Sequence, residues 1–65
     1  MSAIVMRIVT ARNGQFAYGV DFYKHGKRGD ADPTETRRTG SYSVKHMAFK
    51  EAEQIRDEFR KESEH

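Results

Sequence analysis

Lys24, Lys27, Arg28, Arg37, Arg38 and Lys45 crowd the middle of this 65-residue chain against only Asp30, Asp32 and Glu35. From Met47 onward the balance reverses, with Glu51, Glu53, Asp57, Glu58, Glu62 and Glu64 outnumbering Lys50, Arg56, Arg60 and Lys61. The total, 12 basic against 10 acidic side chains, hides this asymmetry. A basic middle beside an acidic tail points to an anionic partner for the middle. Guanidinium and ammonium groups neutralise phosphates, whereas amides and hydroxyls such as Gln15, Thr39 and Ser43 can reach base edges. The candidate binding set is Arg7, Arg12, Gln15, Tyr23, Lys24, Lys27, Arg28, Arg37, Arg38, Ser43 and Lys45, and the candidate partner is double-stranded DNA. Tyr23 enters as an outward aromatic able to stack on a base or a partner side chain.

Other chemistries find less support. His25, His46 and His65 are scattered, no pair has ligand spacing on one face, and a zinc site needs about four convergent ligands, so no metal or other cofactor is expected. Ser41 and Ser43 lie near His46 in sequence, but strand alternation sends base and nucleophile to opposite faces, so no enzyme is expected either. Gly26 and Gly29 in HGKRGD lack the preceding strand and following helix of a phosphate-binding loop, and Arg28-Gly29-Asp30 has no export signal to make it an adhesion motif.

The elements that position the basic set follow from periodicity. Residues 3 to 11 alternate Ile4, Met6 and Ile8 with Val5, Arg7 and Val9, the pattern of a β-branched strand. Asn13-Gly14 follows, a pair that suits a two-residue type I′ hairpin because both positions tolerate positive φ. Residues 15 to 23 form the second strand. Residues 24 to 35, KHGKRGDADPTE, hold no large apolar side chain and read as a loop. Residues 36 to 46 alternate again, giving a third strand with Tyr42 and Val44 on one face, and Gly40 marks a bulge or bend near its start. Ala48, Phe49, Ala52, Ile55 and Phe59 recur at helical spacing, so a helix of roughly four turns begins near Met47 and frays after Lys61.

The predicted fold is a single α+β domain, β-β-β-α, an antiparallel three-stranded sheet with its C-terminal helix packed on one face. Ile4, Met6, Ile8, Phe16, Tyr18, Val20, Phe22, Tyr42 and Val44 face Ala52, Ile55 and Phe59. The other face carries Arg7, Gln15, Ala17, Gly19, Asp21 and Tyr23, then Arg37, Thr39, Ser41, Ser43 and Lys45. Tyr18, Phe22 and Tyr42 are therefore core, not a base-stacking platform. A sheet with so low a centre can approach a DNA major groove, about 12 Å wide. A polar face rimmed by lysine and arginine is also what keeps a small domain soluble, and a carboxylate at Asp21 repels phosphate unless it accepts from a cytosine amino group.

The order hairpin, third strand, helix, with Arg12-Asn13-Gly14-Gln15-Phe16-Ala17-Tyr18 opening the second strand, resembles the small arm-type-site-binding domains of tyrosine recombinases, which are similar to the plant AP2 domain. The resemblance implies that the sheet enters the major groove, with Gln15, Ala17, Ser43 and Lys45 toward bases. The acidic Asp30, Asp32 and Glu35 depart from that pattern, as does the absence of a basic N-terminal arm and of a following catalytic domain. A regulator or accessory factor is the function it implies.

The rival is a protein-interaction module. Val5 and Val9 point outward from strand 3 to 9, an edge that invites pairing with another chain, as a homodimer or on a host protein, in the style of phage or mobile-element inhibitors. A chain this short buries a small core, and without cysteine no disulfide reinforces it. The lack of cysteine fits a cytoplasmic setting. Residues 3 to 9, interrupted by Arg7, are too short for a membrane span and show no cleavage pattern.

Overall fold

The computed structural model describes residues 2 to 10 and 13 to 63. It shows the expected α+β arrangement: β1 (Ala3–Thr10), β2 (Phe16–Tyr23), β3 (Glu35–Arg38) and α1 (Lys45–Ser63). The sheet is antiparallel in the order β1-β2-β3, with α1 packed on β2 and β1.

The hairpin differs from the expected two-residue turn. Thr10 pairs with Phe16, and the register runs Ile8 to Tyr18, Met6 to Val20 and Ile4 to Phe22. Closing the strands directly around Asn13-Gly14 would have slipped this register by one and set Met6 beside Asp21. A one-residue slip moves a whole apolar row to the wrong face, so side-chain pairing overrides the turn preference. At the hairpin Gly14 has φ 71°, and among the described residues positive φ occurs only at Gly14 and Gly26, which rules out the type I′ turn at Asn13.

The third strand is the larger correction. Residues 36 to 46 do not form one ladder: β3 ends at Arg38, Tyr42 makes an isolated bridge to Phe16, and Lys45 and His46 already belong to the helix. Arg38 faces Gly19 and Tyr42 faces Phe16, so this segment inserts one residue relative to β2. That is a β-bulge at the expected Gly40, and it reverses side-chain parity across it. Arg37 and Tyr42, odd and even, consequently both lie on the helix side. Within the bulge Tyr18 N donates to Thr39 Oγ1 at 2.9 Å, a side chain replacing the missing backbone acceptor.

Val20, Ala52 and Phe59 form the buried centre, with Ile4, Met6, Tyr18, Phe22 and Ile55 packed around them. Phe22 stacks on Phe59 with ring centroids 5.3 Å apart, and Tyr18 meets Phe49 edge-on at 5.6 Å. Two expected core residues are exposed instead: Ile8 at 45% and Val44 at 54%. Ile8 sits on the outer strand where the helix, centred over β2, does not reach, and Val44 lies in the turn before α1. The helix starts two residues earlier than expected and continues to Ser63, whose Oγ donates to Arg60 O. No described helix is long and apolar enough to cross a membrane.

Candidate nucleic-acid interface

One sheet face has no helix on it, yet its centre is closed by its own side chains. On β2 this face presents Ala17, Gly19, Asp21 and Tyr23, flanked by Val5, Arg7 and Val9 from β1 and by Thr36 and Arg38 from β3. Arg7 lies across Gly19 and donates from Nε to Asp21 Oδ2 at 2.9 Å, while Thr36 Oγ1 donates to Asp21 Oδ1 at 2.9 Å. A Cβ on Gly19 would come within 3.0 to 3.3 Å of the Arg7 guanidinium, so glycine is what allows the arginine to lie flat.

Burial disfavours the Asp21 carboxylate, but hydrogen bonds from Arg7 and Thr36 more than offset it and hold its pKa below the ordinary aspartate value. The same hydrogen bond raises Arg7, whose side chain stays half-exposed. Asp21 is only 5% exposed, so the expected repulsion between a free carboxylate and phosphate is much reduced.

The structure redistributes the expected binding set. Arg38 is exposed on the uncovered face beside Thr36, which the sequence pattern did not single out because the bulge had not been placed. Lys24, Lys27 and Arg28 are exposed in the loop that continues β2. That loop is a run of hydrogen-bonded turns: Gly26 N donates to Tyr23 O, Gly29 N and Asp30 N to Gly26 O, and His25 N to Asp30 Oδ2. Gln15 is exposed just before β2, at the opposite end of the strand.

Other members leave the face or are buried within it. Arg37 points to the helix side, where its guanidinium bonds Glu35, Glu58 and Glu62 and sits 4.4 Å over the Phe59 ring. Hydrogen bonds to Glu35 and Glu62 raise its pKa. Lys45 opens the helix and Ser43 precedes it, so neither projects from a third strand. Ala17 and Tyr23 are buried, at 2% and 9%, leaving Tyr23 no free ring to stack on a base. Thr39 is buried in the bulge. Arg12 lies outside the described residues.

Tyr42 donates its hydroxyl to Glu51, which also accepts from Gly40 N, and the Glu51 bond together with burial raises the Tyr42 pKa. Among the described residues no group of three or more histidine, cysteine or acidic side chains is placed to hold a metal. No protein-family model, curated protein or solved structure matches the chain.

Proposed function

We propose that this domain is a non-enzymatic DNA-binding module, a regulator or accessory factor, that receives duplex DNA on its uncovered sheet face. The observation that carries the proposal is the capture of Asp21 by Arg7 and Thr36, which leaves that face without a free carboxylate among the described residues. Arg38 and the exposed half of Arg7 then stand toward the groove, while Lys24, Lys27 and Arg28 take phosphates beyond the strand end. Glu35, Glu58 and Glu62 are gathered by Arg37 on the helix side, Asp30 accepts from His25 N, and Asp32 remains exposed in the loop that carries Lys27 and Arg28. The resemblance to arm-type-site-binding domains favours the same face, with Arg38 and Thr36 in place of Ser43 and Lys45.

The test is a titration with mixed-sequence duplex DNA followed residue by residue by NMR and repeated across salt concentrations. Shifts should gather on Arg7, Thr36, Arg38 and the 24 to 28 loop, and log K should fall against log salt with a slope of about −0.9 per phosphate contacted. Combining Arg38→Glu with Lys27→Glu should abolish binding while leaving the fold intact. Undiminished binding by that variant, or no shifts at low salt, refutes the proposal.

A further inference from the structure

We propose that two copies of the chain pair antiparallel through the outer edge of β1, about a two-fold axis at Met6, to make one continuous sheet with both helices on the same side.

The backbone directions identify the free groups. Phe16 exchanges bonds of 2.6 and 2.9 Å with Tyr42, Thr39 N donates to Tyr18 O at 3.0 Å, and Thr34 N donates to Phe22 O at 2.7 Å. Even-numbered residues of β2 thus direct their backbone groups away from β1. Alternation gives the odd-numbered ones to β1, and the register matches them with Ala3, Val5, Arg7 and Val9. The amides and carbonyls of Ile4, Met6, Ile8 and Thr10 therefore point along the outer edge. An unpaired edge invites another strand unless it is short, kinked or charged. β3, at four residues and followed by the bulge, is blunted in that way. β1 is eight residues long with no proline or lysine, and its one charge, Arg7, is turned onto Asp21.

Self-complementarity selects the occupant and the register. Even residues must meet even residues. With Met6 on the axis, Ile4 lies opposite Ile8 of the second copy and Val5 opposite its Arg7, so the exposed Ile8 is covered at both ends of the pair. Sliding two residues one way sets Arg7 against Arg7 of the second copy, with Cα atoms about 4.5 Å apart, a like-charge contact. Sliding the other way leaves Ile8 opposite Ser2.

The helices agree with this choice. Glu51, Glu58 and Glu62 contact the third-strand side, so Phe49, Glu53, Arg56 and Arg60 occupy the flank toward β1. Phe49 is level with Tyr18 and Phe59 with Phe22, which puts the helix midpoint near Met6. The two-fold sets Glu53 of one helix toward Arg56 of the other, across a gap of about 14 Å between helices that long side chains can span. Within one copy Arg56 already pairs with Glu53 and Asp57, each at 3.6 Å, and among the described residues its buried Nε makes no hydrogen bond, so the second copy's Glu53 adds to an existing ion pair.

Sedimentation equilibrium of the full chain without DNA, from low micromolar to millimolar, should show monomer giving way to dimer. Ile8→Pro removes an outward amide but no β1–β2 bond, so it should weaken dimerisation roughly tenfold or more with the circular dichroism spectrum unchanged. The chain has no cysteine, so single cysteines report the register: Met6→Cys should cross-link across the axis, its Cα pair about 5.5 Å apart, ahead of Val5→Cys and Arg7→Cys. A monomer at millimolar concentration, full dimerisation by Ile8→Pro, or cross-linking led by Val5→Cys or Arg7→Cys overturns the proposal. Should Ile8→Pro fail to fold, the wild-type mass and the cysteine series decide.

Discussion

Arg7, Gly19 and Asp21 act as one unit, and each can be tested through another. Gly19→Ala presses a methyl group against the guanidinium, so the arginine must lift from Asp21. The Asp21 pKa, followed by NMR, should then rise toward the ordinary value with the fold retained. In the wild type a depressed carboxylate pKa contributes stability that is present above the unfolded value and lost as pH falls through the folded one. Acid titration should therefore weaken the domain below about pH 3.9, the unfolded aspartate value, and Asp21→Asn should flatten that part of the profile. Tyr42 carries the opposite sign. Its raised pKa favours the neutral phenol in the folded state, so its contribution holds below about pH 10 and is lost as pH rises through the folded value. Tyr42→Phe should remove this alkaline loss from the stability curve.

At the scale of elements, the core is thin enough for single contacts to decide folding. Phe59 stacks on Phe22 and supports Arg37. Phe59→Ala should cost about 3–5 kcal/mol, comparable to what a core of this size supplies in total, so the variant should be largely unfolded by circular dichroism at 25 °C. Thr39→Val leaves the Tyr18 amide without its acceptor and should cost about 1–3 kcal/mol in urea melts, whereas Thr39→Ser should retain the wild-type midpoint. Alternation from Ile4 to Val9 and Phe16 to Phe22 made β1, β2 and their helix-facing side legible, and the spacing of Ala48, Ala52 and Phe59 did the same for α1. Gly40 marked the bulge, but a glycine does not say that parity reverses across it, which is why Arg37, Ser43 and Lys45 appeared to share a face. Asn13-Gly14 misled for a related reason: a local turn preference cannot report the register that apolar pairing imposes. The capture of Asp21 was illegible because Arg7 and Thr36 are distant in sequence and meet only through β2.

The whole molecule measures 36 × 23 × 12 Å, and its two proposed surfaces cannot both be used in the same way at once. A paired sheet of six strands is about 24 Å across, twice the groove width of about 12 Å. Duplex DNA and the second copy should therefore compete: adding duplex should move the sedimenting species from dimer to a monomer–DNA complex. Ile8→Pro should bind duplex more tightly than the wild type wherever the wild type is paired. The extra residue between Arg38 and Tyr42 sets a constraint of another kind. Arg37 upstream and Tyr42 downstream both moor the helix, through Glu58 and Glu62 at one point and Glu51 at the other, and the two moorings agree only because the chain loses step once between them. Chain length is consequently fixed at Thr39 to Ser41, where deleting Gly40 would force one mooring to face solvent, while the exposed stretch near Ala31 and Asp32 is free to lengthen.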